Sequence, residues 1–404
     1  MNLVSPSTTV AIIGAGPYGL SLAAHLNAAG VPCRIFGTPM NTWKTQMPEE
    51  MKLKSDGFAS NLFPGHGREY TLEQFCREQE IPYHPTHLPV ALSTFVRYGE
   101  EFARRFIPQL EEKQVLLLAQ GSEGFLLTLD SQETLSARFV VIATGLSVNE
   151  HIPKELAPLQ PELVSHTRQH RRFESFLGKD VAVLGRGASA LNAAVLLQNA
   201  GGRPVLITRK RKVHVHTPAD DQPRTLYQRL RKPSSPLGPS LRSFLASRFP
   251  HLFRTLPAAL RRLLVWKHLG PSGGVALHGQ LHGRVEMLLG WRVQEANRTL
   301  DGRAQVSLEN LATGEICRKT FDHVLCGTGF QHELRKLPFL AGDLIPHIRI
   351  EADGSPKLDS RFQSSMPGLF FAGPAAAASF GPLLRFAAGA SFAAEQISKA
   401  LAQP

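Results

Sequence analysis

The chain has 404 residues, 43% of them hydrophobic and 19% charged, a composition that excludes a disordered or fibrous protein and a length that calls for two or three domains. Its net charge is +12, but 14 Lys/Arg against two acids between positions 208 and 270 carry the whole excess, and so local a charge argues against a nucleic-acid binder. No run of 18 uncharged apolar residues is present, strand-like sequence begins within the first ten residues, and Cys33, Cys76, Cys317 and Cys326 form no C-x-x-C pair; the expectation is a cytoplasmic chain with reduced thiols, no signal peptide and no spanning helix.

The first element is an apolar strand from Val10 running into Gly14-Ala-Gly16-Pro17-Tyr18-Gly19 and an Ala/Leu-rich helix. In G-x-G-x-x-G the first glycine permits the tight turn and the second admits a pyrophosphate to the backbone. The third lets helix and strand pack closely, with the helix N-terminus aimed at the phosphates. A second strand follows at Val31–Phe36, then a Gly/Pro/Met-rich connection from Gly37 to Pro64. Helices are predicted at Thr71–Glu80, with Thr71 as N-cap, and at Leu92–Phe106. Strands Val115–Leu118 and Gly124–Leu129 pair through a turn at 121–124, and a buried strand from Ala137 ends in Ala143-Thr144-Gly145.

The pattern then repeats. A strand from Asp180 leads into Gly185-Arg-Gly187-Ala-Ser189-Ala190, a helix, and a strand ending at Ile207. Residues 213–270 form an Arg/Pro/Leu-rich insert with amphipathic helices near Leu241–Phe249 and Ala258–Leu269. Strands Gln305–Leu311 and Glu315–Phe321 precede a second glycine ending, Gly327-Thr328-Gly329-Phe330. The chain closes with an apolar strand reaching Gly373-Pro374 and a small-residue helix expected from Pro382, with Gly381 or Ser379 as cap.

The order G-x-G-x-x-G, A-T-G, G-x-G-x-S-A, G-T-G-F and a final strand at Gly373 resembles the two-dinucleotide flavoproteins. More narrowly it resembles the single-component FAD/NADPH-dependent monooxygenases: flavin-containing monooxygenases, Baeyer–Villiger monooxygenases and N-hydroxylases, in a bacterial branch. Trp43, Ser165-His166 ahead of Gly178-Lys179, and Ala378–Phe386 add local matches. The F-x-G-x-x-x-H fingerprint is incomplete, because Leu163-Val164 precedes Ser165-His166. The resemblance implies an α/β fold of two Rossmann-like, three-layer domains: an FAD domain from residues 1–146 and 331–404, with an NADPH domain, 147–330, inserted between them. It implies reduction of FAD by NADPH and addition of O2 as cosubstrate to give a C4a-(hydro)peroxyflavin. One oxygen atom then passes to nitrogen, sulfur or carbon of a small organic substrate.

The two loops separate FAD from NADPH. Twenty-three positions past its first glycine, the first loop reaches Gly37, where a ribose-binding acid is absent. At the same offset the second reaches Thr208, followed by Arg209-Lys210-Arg211-Lys212, suited to a 2′-phosphate. FAD is therefore assigned to Gly14, Gly16, Pro17 and Gly19, with Trp43, Thr144, Gly145, Gly329, Gly373 and Gly381 lining the cofactors. NADPH is assigned to Gly185, Gly187, Ser189, Ala190, Arg209 and Lys210. Catalytic candidates are Ser55 and Lys54 beside the flavin, and Arg385, which either aids the reduced flavin or forms a structural ion pair. His214-x-His216 with Asp220 and Asp221 lacks a third ligand at metal spacing, so no metal is assigned. The expected partner is a small molecule, with an anionic one suiting the basic insert, which reads as a lid or substrate-side subdomain ahead of a membrane-contact face. A flavin oxidase or reductase without oxygen transfer, and a non-catalytic nucleotide-binding protein, are the alternatives.

Overall fold

The computed structural model describes residues 7–402 except 66, 68, 87, 147, 216–226, 228–230, 269–272 and 278. Strand β1 (Ser7–Ile13), helix α1 (Pro17–Ala28) and β2 (Cys33–Phe36) open it, with proline in the first turn of α1, where no backbone donor is needed. Short α2 (Asn41–Thr45) precedes α3 (Leu72–Glu78), which starts one residue past its Thr71 cap: the Thr71 hydroxyl accepts from the Gln74 N–H at 3.2 Å. Helix α4 (Leu92–Phe106) buries Leu92, Phe95, Tyr98, Gly99 and Phe102, the three-and-four spacing of one helical face. Strands β3 (Val115–Gly121), β4 (Gly124–Leu129) and β5 (Thr134–Ile142) follow.

Next come β6 (Val164–His166), β7 (Asp180–Leu184), α5 (Ala188–Asn199) and β8 (Arg203–Thr208). The insert supplies α6 (Leu241–Arg248), α7 (Pro250–Arg254) and α8 (Ala258–His268). Strands β9 (Glu286–Leu289), β10 (Trp291–Arg298), β11 (Ala304–Asn310), β12 (Ile316–Phe321), β13 (His323–Cys326) and β14 (Leu369–Phe371) lead to α9 (Ala377–Phe380) and α10 (Ala390–Ala402).

Two mainly parallel sheets result. The first runs β2-β1-β5-β4-β3, and β14 pairs with the last residues of β5, Phe371 opposite Ile142. The second, β6-β13-β7-β8-β9, is parallel throughout. Successive residues of β7 serve different cores: Val181 and Val183 pack with α5, whereas Ala182 and Leu184 join Val306 and Leu308 of the antiparallel β10-β11-β12 meander. A parallel strand buried on both faces needs this continuous apolar run. The three layers are thus helix, parallel sheet and antiparallel meander, the expected α/β class.

The C-terminal helix begins at Ala390, not Pro382. Residues 382–385 and 387–389 form separate 3-10 turns, broken at Phe386 in extended backbone (φ −122°, ψ 154°). The cause is Tyr18, whose hydroxyl lies 2.7 Å from the Leu384 carbonyl oxygen and 2.8 Å from that of Phe386, drawing both out of a helical ladder. Neither Gly381 nor Ser379 acts as a side-chain cap there.

Candidate dinucleotide and redox site

The first loop is a cradle that side chains would fill. Gly14 has φ +113°, and a Cβ there would sit 2.7 Å from the Ala143 carbonyl oxygen. A Cβ on Gly19 would lie 1.8 Å from the Gly14 oxygen, so helix and strand touch through these glycines. Gly16 faces open space, with nothing within 4 Å of its Cβ position. It is also the N-cap of α1 and offers no capping side chain, which leaves first-turn N–H groups directed outward. Gly14, Gly16, Pro17 and Gly19 therefore form a concavity that fits a pyrophosphate.

At the end of β2 the Gly37 N–H donates to the Glu111 carbonyl at 3.0 Å. The Glu111 carboxylate does not replace the missing ribose acid. It is clamped by Arg34 at 2.6 and 2.8 Å and by Lys113 at 3.0 Å, with its pKa lowered chiefly by Arg34.

The second loop repeats the geometry. Gly185 has φ +131°, and its Cβ position lies 2.4 Å from the Gly327 oxygen. Ala190, fully buried in the third glycine's place, fits because Gly327 faces it: a Cβ on Gly327 would meet the Ala190 methyl at 2.5 Å. Gly187 caps α5 without a side-chain bond, and Ser189 is exposed in the first helical turn. Strand β8 delivers buried Thr208 to its tip and leaves Arg209 and Lys210 exposed beyond it. The His151 pKa is lowered by burial first and then by the cations Lys336 and Arg209.

The T-G endings differ. Thr144 and Gly145 line a narrow crevice with Asn149, His332, Ala372 and Ala375. At the other ending Thr328 donates its hydroxyl to the His151 carbonyl, and the Gly329 carbonyl accepts from the His151 N–H at 3.0 Å. The His166 ring nitrogen Nε2 lies 3.1 Å from the same oxygen. That ending is a latch onto the 149–151 crossing, and Gly329 is tied to protein. Beside it buried Ser165 stands 2.7 Å from His170 and 2.6 Å from His323, both half-buried, a cluster that no sequence pattern pointed to.

The remaining candidates sit as follows. Trp43 packs edge-on against Phe95 at 4.9 Å, and the Met40 N–H, one turn earlier, donates to Ala15 of the first loop at 2.9 Å. Gly373, at φ +78°, lies against the Tyr18 ring. Gly381 has φ +95°, and a Cβ there would lie 3.0 Å from the Phe253 ring of the insert. Ser55 is half-buried. The Lys54 residue is exposed in area, but its stem meets Gly274 at the end of the insert, and desolvation lowers its ammonium pKa. Arg385 makes no ion pair among the described residues; burial lowers its pKa, and Asp353 opposes that shift. Of its two alternatives the structural ion pair is therefore absent among these residues. His216, Asp220 and Asp221 lie outside the described residues.

The insert is docked onto the C-terminal motif. Arg261 pairs with Glu351 at 2.8 Å, with side chains 13% and 9% exposed, and donates to the Ala378 carbonyl at 2.9 Å. His251 packs edge-on against Phe380 and Phe392. Sequence could not join these partners, although Tyr18, inside the first loop, was within its reach.

Residues 11–227 match the pyridine nucleotide-disulphide oxidoreductase family. The chain belongs to this family. It is an oxidoreductase, and its relatives narrow the kind. Indole-3-pyruvate monooxygenase YUCCA1 of Oryza sativa subsp. japonica is 26% identical over 373 residues, 82% of this chain and 79% of that protein. The reduced form of ornithine hydroxylase (PvdA) from Pseudomonas aeruginosa superposes with a TM-score of 0.75 at 18% identity, covering 98% of this chain and 99% of that one. L-lysine 6-monooxygenase from Pseudomonas syringae gives 0.74 at 16%, covering 98% and 100%. The resemblance to flavoprotein monooxygenases read from the sequence agrees with these findings. The bacillithiol disulfide reductase Bdr (YpdA) from Bacillus cereus also superposes, at a lower TM-score of 0.65 and 18% identity, covering 98% and 99%. The four cysteines here are all free, and burial raises the thiol pKa of Cys33 to about 11 and of Cys326 to about 12. Such protonated thiols are poor nucleophiles for disulfide exchange. Among the described residues no helix is long and apolar enough to cross a membrane.

Proposed function

We propose that this protein is an NADPH-dependent flavoprotein monooxygenase that places one atom of O2 in a small organic substrate: substrate, O2, NADPH and a proton give oxygenated substrate, water and NADP+. The observation that carries the reading is the inequality of the two cradles. Both accept a pyrophosphate, but only the second strand ends in exposed Arg209 and Lys210.

FAD would be held by Gly14, Gly16, Pro17 and Gly19, with residues 1–146 and 331–404 as its domain. NADPH would be held by Gly185, Gly187, Ser189 and Arg209, with 147–330 as its domain. When bound, FAD supplies the redox chemistry, accepting hydride and activating O2. The chain supplies position and dryness: Tyr18 joins the first cradle to the C-terminal motif, and α7 and α8 cover that motif from solvent. Lys54, Ser55 and the desolvated Arg385 are the polar groups placed to meet substrate or flavin.

The test is an isotope and electron balance. With NADPH and 18O2, one labelled atom is expected in product for each NADPH consumed. Quantitative hydrogen peroxide without product, over a broad substrate panel, would identify an oxidase instead.

A further inference from the structure

A cavity of about 560 Å³ opens within the insert, between α6, α7 and α8. That volume is in the range of small-molecule sites, roughly 300–1,000 Å³. Its rim is apolar and open: Leu245 is 47%, Phe249 47% and Leu252 64% exposed. Exposed apolar surface of this kind is costly to keep in water unless something covers it. Its floor is Phe253 and Leu256, and one wall is Pro382 of the C-terminal motif, next to Gly381, which Phe253 also touches. The cavity therefore abuts the segment assigned above to the redox site.

Among the described residues the ionisable side chains of its lining are Arg242 and His268. Arg242, an exposed residue at its edge, donates to the Leu264 carbonyl at 3.1 Å. His268 is held neutral, its pKa lowered to about 4 by burial and then by the cations Arg242 and Lys54. Arg242 is thus the positive charge of an otherwise apolar lining among the described residues, in a segment with 14 basic residues against two acids. A diamine or a cationic amino-acid side chain would meet like charge there.

Resting on the monooxygenase reading, we propose that this cavity binds the substrate, an amphipathic monocarboxylate. Its hydrocarbon body fills the space between α6, α7 and α8, and its carboxylate meets Arg242. A guanidinium can take a carboxylate in two parallel hydrogen bonds, and each buried methylene adds apolar contact. A phospholipid surface would also meet an apolar, cationic face, but a concave space of this volume beside one arginine suits a single chain with one head.

The experiment is calorimetric titration of the full-length, flavin-containing protein with dodecanoate, dodecylamine and L-lysine, below micellar concentrations. Saturable one-to-one binding of dodecanoate is expected, with dodecylamine and L-lysine at least tenfold weaker. Arg242→Gln should weaken dodecanoate binding tenfold or more, and Leu245→Glu at the exposed rim should abolish it, both with unchanged melting temperature. Equal affinity for dodecanoate and dodecylamine, or unaltered binding by both variants, would overturn the proposal. So would absence of dodecanoate binding together with sedimentation on phosphatidylglycerol vesicles, which would mark a membrane face. NADPH oxidation is followed in the same samples: its absence with selective dodecanoate binding intact would count against the monooxygenase reading and still support the carboxylate site.

Discussion

The Tyr18 hydroxyl, in the first glycine loop, donates to the Leu384 carbonyl at 2.7 Å and shares the contact with Phe386 at 2.8 Å. A residue of the first glycine loop thereby fixes the C-terminal motif, 366 positions away in sequence. Burial raises its phenol pKa well above the ordinary value, so it stays a donor throughout the physiological range.

Tyr18→Phe removes that donor and leaves two carbonyls of a buried segment without it, at a cost of about 1–3 kcal/mol. The expected outcome is a lower melting temperature together with weaker FAD retention on dilution, because one residue serves both segments. Loss of stability with unchanged flavin affinity would confine Tyr18 to packing.

The buried Arg261–Glu351 pair is the main polar clamp of the insert on the C-terminal motif. Glu351→Gln leaves the Arg261 charge desolvated and is expected to cost about 3–5 kcal/mol. Limited proteolysis should then cut within 241–268 faster than in the native protein. Because Arg261 also donates to three backbone carbonyls, Arg261→Met should not restore stability to the Glu351→Gln protein.

Acid should destabilise the fold before its carboxylates titrate. Burial lowers the pKa of His166 and of His323 to about 4, so the folded state leaves them neutral while the unfolded chain protonates near 6.5. Their burial as neutral rings carries no pH-linked cost above pH 6.5, and stability is lost progressively as pH falls from there to about 4. Glu101 and Glu133, lowered to about 2 chiefly by Arg104 and Arg34, lose their contribution at lower pH. Urea midpoints should therefore fall between pH 7.5 and 5, and fall less in His166→Asn, whose side chain does not titrate.

Both glycine loops were legible in the sequence because their first glycines answer to backbone geometry that favours glycine: Gly14 and Gly185 carry φ of +113° and +131°. Strands β9 and β10 were not legible. Trp291–Arg298 exposes polar or charged residues at five of its eight positions and buries Ala296 alone, so it lacks a sustained apolar alternation. The proline rule placed the last helix eight residues early, since it sees a residue suited to a first turn and not the phenol that pulls that turn open. The docking of the insert depends on Arg261 meeting Glu351, a pairing 90 positions apart that no local pattern encodes.

The assignment of FAD to the first cradle and NADPH to the second is tested most directly by two variants in one anaerobic experiment. A Cβ at Gly16 meets no protein atom within 4 Å, so Gly16→Val places its side chain in the space proposed for the pyrophosphate and should fold normally and purify colourless. Arg209→Glu should purify yellow, and its flavin should be bleached by NADPH at least tenfold more slowly than the native protein's, with little change toward NADH. A yellow, NADPH-reducible Gly16→Val protein, or an Arg209→Glu protein with native NADPH preference, would contradict the account.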